Sequence, residues 1–393
     1  GTASSAPIPP WNHGLRESKG SPRRKPEEAF TKNPQEVATV SDSLKNLRNQ
    51  IDLLDDRIAE LIRQRGEIAK AVGTAKGTAP VYDPLREEAV LERLQRNHPD
   101  LPSKALKAIQ REIISLCRSL QYPLTIACLG PEGSFSHQAV REQFGSEGKT
   151  LFCGDFEEAL SLLYRDEADM TVLPVENTVE GAVCPALDAL SSAPEECTVL
   201  CERRVPVRHM LASISSVEEI STVCSHPQAL SQCRRWIAAN LPGREILPLS
   251  STSAAAEHAR TAPKCAAVCT AMAAEDRGLT ILAKDIQDSP HNLTRFWTIG
   301  KEKPQPGERN KTSFRFTVPH TPGSLFRALA PLAEIPLNMT FIQSRPLLHN
   351  PFEYSFFVDV EGHMEEPSVY ETLEAVRSLA SGFRLLGSYP CVG

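Results

Sequence analysis

Arg65 and Lys76 stand eleven residues apart in a stretch, Ser41 to Lys76, that is patterned as a helix. At 3.6 residues per turn they point within ~20° of each other. The apolar residues Leu44, Leu47, Ile51, Leu54, Ile58 and Leu61 recur in alternating steps of three and four, the seam of a helix that packs along a partner. Arg65 takes the next seam position, and Ile68 and Val72 resume it. Two cations looking inward from an apolar face need an anion, because an unpaired buried charge is costly. That anion is either a carboxylate of a helical bundle, with the stems reaching towards water, or a small ligand. The residues that follow favour a ligand.

Asp83 followed by Pro84 is an N-cap and first-turn signature, so a second helix starts there. On it Glu87 shares a face with Val90, Leu91 and Leu94, and Arg86 sits one position aside. A third helix starts near Ser103 and carries Leu106, Ile109, Ile113, Leu116 and Leu120, with Cys117 and Gln121 one turn apart beside that seam. The expected unit, 41–122, is all-α and three-helical. Its first helix would run ~50 Å at ~1.5 Å per residue, too long for a compact small domain without long partners.

A second set of polar residues falls where short β-rich runs end: Gly130-Pro131-Glu132-Gly133-Ser134, Pro174-Val175-Glu176-Asn177-Thr178, Ser225-His226-Pro227-Gln228, Ser251-Thr252-Ser253 and Asn292-Leu293-Thr294-Arg295-Phe296. Strand ends are where open α/β sheets bind ligands. Glycines let backbone approach a ligand, and a helix start offers free N–H groups to an anion. The runs alternate with helical ones over 123–302, an α/β pattern read as parallel. The first cluster is neither GxGxxG nor a Walker motif, which argues against dinucleotide binding.

The C-terminal part, 308–393, reads strand, helix, strand, strand, helix, strand, the order of a ferredoxin-like α+β sandwich. Residues 1–40 hold six prolines and a mixed-charge run and are expected to be a disordered tail. The chain begins at Gly1, so this end reads as processed or cut. The 393 residues carry a net charge of −6, which argues against general nucleic-acid binding, and no apolar run nears the length that spans a bilayer. Eleven dispersed cysteines without a CxxC pair point to a reducing cytoplasm and not to a disulfide framework or zinc site.

The helical spacing resembles the all-helical chorismate mutases: LR-N-QID-LD through AELI-x-QR to G-x-AK, then D-x-x-RE, then a third helix ending in Gln. The resemblance implies an intertwined homodimer in which Arg48 serves the neighbouring subunit's site. Arg48 lies ~100° from Arg65 on the helix, so one straight helix cannot aim both at one ligand. It further implies that Arg48 and Arg65 clamp carboxylates, Lys76 and Gln121 donate to the ether oxygen, Asp83 and Glu87 hold the hydroxyl, Arg86 supports the charge pattern and Cys117 makes a further substrate contact.

GPEGSFSHQA, PVENTVEGAV, SHPQALSQC, STSAAA and NLTRF together resemble prephenate dehydratase. That family implies two α/β lobes similar to periplasmic binding proteins. Thr294 would lie nearest the leaving hydroxyl, Asn177 and Gln232 would orient the substrate, and Arg295 would pair with a carboxylate. Pro322-Gly323-Ser324-Leu325, Asn338 and Ser344-Arg345-Pro346 resemble the ACT regulatory domain, with Gly323, Ser324, Leu325, Asn338, Ser344 and Arg345 around L-phenylalanine. The whole reads as a bifunctional chorismate mutase/prephenate dehydratase acting on chorismate and prephenate, inhibited by phenylalanine, a homodimer or larger, with no cofactor or metal. Two alternatives stay open: a sensor whose cleft binds without reacting, and a dehydratase that prefers arogenate.

Overall fold

A computed structural model describes residues 34–77, 80–335, 337–347 and 354–392, with side chains from residue 43 onward. The chain divides after Leu61 into two units. The tail expected over 1–40 lies outside the described residues up to 33. From Pro34 the chain is already helical, which moves the start of the first helix, α1 (Pro34–Lys76), seven residues earlier than its apolar pattern suggested. In the first unit Leu44, Leu47, Ile51, Leu54, Ile58 and Leu61 are 50–58% exposed.

The second unit begins with the end of α1, followed by α2 (Pro84–Asn97) and α3 (Ser103–Ser119). Asp83 caps α2, its Oδ1 accepting from the Arg86 N–H at 2.9 Å. Val90 and Leu91 pack on Ile114 in a small core. The face of α3 that is buried is not the one its heptads suggested. Ile114, Ser115, Cys117 and Arg118 are buried, while Ile109, Leu116 and Leu120 stand exposed.

The next segment forms a first lobe from β1 (Thr125–Leu129), α4 (Phe135–Phe144), β2 (Lys149–Cys153), α5 (Phe156–Tyr164), β3 (Met170–Asn177), β4 (Gly181–Ala182), α6 (Cys184–Ser192) and β5 (Thr198–Pro206). The chain then builds a second lobe from β6 (Met210–Ser213), β7 (Thr222–Ser225), α7 (Pro227–Gln232), α8 (Arg234–Asn240), β8 (Glu245–Pro248), α9 (Thr252–Thr261), β9 (Cys265–Cys269), α10 (Ala271–Asp276) and β10 (Thr280–Ala283). It returns as β11 (Leu293–Gly300), which inserts between β3 and β5. The two sheets run β2-β1-β3-β11-β5 and β10-β6-β9-β7-β8. They are mixed, not parallel throughout: β11 is antiparallel to both neighbours, and β6 is antiparallel to β9 and β10. β6, the first strand of the second lobe, and β11, the strand that returns to the first, run against those built by helical crossovers.

The C-terminal domain is β12 (Asn310–Thr317), α11 (Ser324–Glu334), β13 (Met339–Pro346), β14 (Tyr354–Glu361), α12 (Pro367–Leu379) and β15 (Gly382–Pro390), with sheet order β13-β14-β12-β15. This is the ferredoxin-like sandwich its sequence order implied. It is not a loosely tethered appendage. Phe341, Phe357, Leu386 and Tyr389 join the first-lobe core around Trp297 and Ile299. Arg384, buried, donates to the carbonyls of Leu190, Ala193 and Pro194 and so caps the C-terminal end of α6. All eleven cysteines are free thiols. Among the described residues no helix is long and apolar enough to cross a membrane.

Candidate active sites

The end of α1, the loop before α2, and α3 enclose a cavity of about 490 Å³. Arg65, Lys76, Asp83, Arg86, Glu87, Cys117 and Gln121 all line it, with Ile68, Val72 and Val90 as its apolar wall. The eleven-residue spacing thus does bring Arg65 and Lys76 to one cavity. Arg65 Nη1 reaches the Ile113 carbonyl at 3.4 Å, and Lys76 Nζ donates to the Pro80 carbonyl at 3.0 Å. Gln121 Nε2 lies 3.5 Å from the Cys117 carbonyl. Arg48 lies in the first unit, with its side chain exposed.

Two carboxylates in this cavity also serve the fold. Asp83 spends Oδ1 on its helix cap. Glu87 Oε1 accepts from Arg118, a residue the sequence pattern did not single out because it lies off the heptad seam. Burial raises the Glu87 pKa, and the Arg118 cation works against that rise.

The second site lies in the cleft between the two α/β lobes, a space of about 370 Å³. Asn177 ends β3 and faces Thr294 directly across the antiparallel pairing of β3 with β11. Asn177 Nδ2 donates to Thr294 Oγ1 at 2.9 Å and to Asn292 Oδ1 at 2.8 Å. Asn292 Nδ2 donates to Gln232 Oε1 at 3.1 Å, and Gln232 Nε2 donates to Glu180 Oε1 at 3.1 Å. His209 Nε2 lies 2.9 Å from the same Gln232 oxygen. That oxygen only accepts, so His209 carries its proton on Nε2. Burial lowers the His209 pKa despite this hydrogen bond, which favours the neutral ring.

The chain of bonds fixes the polarity of Thr294. Both Asn177 N–H groups are used, one of them on Thr294 Oγ1, so the threonine hydroxyl accepts there and keeps its own proton to donate. Thr294 and Phe296 alternate onto the cleft face of β11. Among the described residues lining the cleft there is no Lys or Arg, and Glu180 is the one carboxylate. Donors come instead from the starts of α4 and α9, one from each lobe, capped by Ser134 and Ser251. His209 was not legible as a site residue, being isolated in its own segment, while Glu180 and Phe135 lie within PVENTVEGAV and GPEGSFSHQA but were not singled out there. His226 lines the cleft and caps α7.

Three expected placements are corrected. Arg295 does not face the cleft. As the residue between Thr294 and Phe296 it points to the opposite side of the sheet, where it pairs with Glu202 and Asp359. Burial works against its charge, but Asp359 and Glu202 outweigh that and raise its pKa. Arg345 is drawn to Asp188 of α6, with Nε 2.9 Å from Oδ1. Gly133, expected to admit a ligand, instead admits the other lobe. A Cβ there would come 3.0 Å from the Ser253 hydroxyl, and its carbonyl accepts from Thr270 at 2.9 Å.

Lys311 joins the Arg295 cluster through Glu202 at 2.9 Å, and Asp359 accepts from Ser313 at 2.6 Å. Removing Asp359 leaves two buried cations, Arg295 and Lys311, sharing the one buried carboxylate of Glu202. Asp359→Leu is expected to lower stability by about 3–5 kcal/mol, read as a shift in urea midpoint. A loss below about 1 kcal/mol would show that the cluster is well hydrated after all.

In the C-terminal domain Ser324 and Leu325 line a third cavity with Val318, His320, Tyr354 and Phe356. Gly323 sits at the start of α11 in the left-handed region, φ 77°. Asn338 and Ser344 are exposed and do not line that cavity.

A cationic cavity in a helical unit and a two-lobed cleft built of neutral donors define a two-site enzyme for small organic anions. The family model for type II chorismate mutase matches residues 47–122, and that for prephenate dehydratase matches residues 126–304. The bifunctional chorismate mutase/prephenate dehydratase of Aquifex aeolicus is 37% identical, over 89% of this chain and 98% of its own. A prephenate dehydratase from Arthrobacter aurescens, solved in complex with L-Phe, superposes with a TM-score of 0.63 at 32% identity, over 68% of this chain and 89% of that one. A structure described as a novel type of quorum quenching acylase superposes with a TM-score of 0.62 at 31% identity, over 68% and 98%. The chain belongs to the bifunctional chorismate mutase/prephenate dehydratase family and is an enzyme with both activities.

Proposed function

We propose that chorismate rearranges in the Arg65–Lys76–Gln121 cavity and that prephenate is dehydrated in the cleft at Thr294. The rearrangement is pericyclic and needs no nucleophile. The protein holds a chair-like conformer and stabilises the charge that grows on the ether oxygen. In this reading Arg65 takes a carboxylate in bidentate fashion, Lys76 and Gln121 donate to the ether oxygen, Asp83 and Glu87 hold the hydroxyl with the oxygens their structural bonds leave over, and Arg86 and Cys117 complete the wall. Arg48 comes from a second copy, whose long helix also covers the exposed apolar residues of α1 and α3.

Dehydration removes carbon dioxide and hydroxide from a dianion and leaves phenylpyruvate with one carboxylate, so one proton is consumed. The observation that carries the assignment is the free proton of Thr294, held outward by Asn177. Asn292 and Gln232 keep that asparagine oriented. With no Lys or Arg among the described residues that line the cleft, the starts of α4 and α9 are the natural seats for the substrate's carboxylates. Thr294 keeps its proton and hydrogen-bonds the departing oxygen, and water supplies the one proton consumed.

We infer further that residues 308–393 are an ACT-type domain that senses L-phenylalanine, with Ser324 and Leu325 against the ring and two copies sharing each ligand. Asn338 and Ser344 would belong to that shared interface, while Arg345 stays with Asp188. An effector acts only through unequal affinity for two states of the enzyme. The Arg295–Asp359 pair gives it a direct path to β11 and Thr294. Because the two domains share a core, point variants test this better than deletion. L-Phenylalanine is expected to slow phenylpyruvate formation from supplied prephenate, and Leu325→Asp to abolish that response. Inhibition that persists in Leu325→Asp and competes with prephenate would locate the effector in the cleft instead.

A further inference from the structure

The loop that forms one wall of the mutase cavity is rooted in the dehydratase. Tyr82 lies between Val81 and Asp83, both of which line the cavity, yet its own side chain turns away and is buried in the first-lobe core. Its hydroxyl accepts from Gln143 Nε2 at 2.7 Å and lies 3.7 Å from Cys201 Sγ. Gln143 is on α4, and the same nitrogen reaches Thr298 Oγ1 of β11 at 2.7 Å. The Tyr82 ring packs on Phe144 with centroids 4.8 Å apart.

Arg118 makes a second tie at the same place. It is 5% exposed and lines the mutase cavity. One arm of its guanidinium holds Glu87, and the other donates to the Phe144 carbonyl at the end of α4. Its cation lies 5.7 Å from the centre of the Tyr82 ring and 5.6 Å from that of Phe144. The join is tight: α4 ends at Gly145, φ 72°, where a Cβ would come 2.5 Å from Ser115 of α3. A helix end offers carbonyls without partners, so it is a fitting seat for a cation.

We propose that Tyr82 and Arg118 are positioning residues of the mutase, and that α4 of the dehydratase is a working part of the mutase site. Tyr82 sets where Asp83 and Arg86 stand, because both follow it within one capped turn. Arg118 sets the Glu87 carboxylate. Neither needs to touch chorismate. The opposite end of α4, at Ser134 to Ser136, lines the dehydratase cleft, so one helix of ~15 Å supports both sites.

This rests on the cavity being the mutase site, so Arg65→Ala is carried as a control in the full-length chain. Tyr82→Ala is expected to raise the KM for chorismate by about tenfold with a smaller change in kcat. Dehydratase turnover on supplied prephenate stays within about twofold, and Tyr82→Phe, which keeps the ring, recovers most of the loss. Arg118→Lys keeps a charge near Glu87 but cannot hold both Glu87 and the Phe144 carbonyl, and it gives the same split between KM and kcat even if Tyr82→Ala fails to fold. A normal chorismate KM in Arg118→Lys or in folded Tyr82→Ala, with Arg65→Ala inactive, overturns the inference. So does an equal fall of both activities, which is the mark of lost folded protein. A fully active Arg65→Ala instead overturns the site assignment beneath it.

Discussion

Thr294→Ala is expected to lower dehydratase turnover on supplied prephenate by about 10²-fold, the effect of removing one donor aimed at developing charge, and to leave chorismate rearrangement unchanged. Hydroxide is a poor leaving group, and aromatisation drives the reaction only once that oxygen is stabilised. Thr294 is a cleft group on the central strand β11 whose proton is left free by its neighbours' bonding, since Asn177 donates to its oxygen. A threonine hydroxyl is a weak acid, so its part is a hydrogen bond that strengthens as the C–O bond breaks, with water supplying the net proton. Thr294→Ser keeps the hydroxyl and is expected to recover most of the rate. Initial rates of phenylpyruvate formation decide this. A loss below about tenfold in Thr294→Ala would move the assisting group elsewhere in the cleft.

Arg65→Ala is expected to have a comparable effect on the other activity. A guanidinium that holds a carboxylate in a partly apolar cavity is worth a factor of about 10² or more in chorismate turnover. Dehydration of supplied prephenate is expected to be untouched, because the residues lining the cleft and those lining the helical cavity do not overlap. Arg48→Ala is equally inactive on chorismate if Arg48 serves a partner's site. Mixing the two inactive proteins and allowing subunits to exchange then returns activity, since a mixed dimer carries one site with both arginines intact. Lack of recovery after verified exchange would put Arg48 outside the site.

Much of this was legible in the sequence, and the misses follow from what a sequence pattern carries. Helical periodicity put Arg65 and Lys76 on one face of α1, and the resemblance to the chorismate mutases implied that Glu87 and Gln121 join them; all four line one cavity. The six elements of the C-terminal domain were each bounded by turn residues and emerged in the expected order. Arg295 was misplaced although the error was avoidable: strand alternation sends it to the face opposite Thr294. The heptads of α3 were real but marked its exposed side, and the buried side, Ser115 and Arg118, is polar because it meets the first lobe. Tyr82, Arg118 and His209 could not be read at all, since each gains its role from a segment distant in the chain.

The most direct test of two separate sites on one chain follows chorismate through to phenylpyruvate. The wild-type protein is expected to yield phenylpyruvate from chorismate alone, Thr294→Ala to stop at accumulated prephenate, and Arg65→Ala to leave chorismate unchanged while still consuming added prephenate. A mixture of the two variants restores the full sequence through free prephenate. Accumulation of no prephenate by Thr294→Ala, or loss of both steps in either single variant, would contradict the assignment of one reaction to each site.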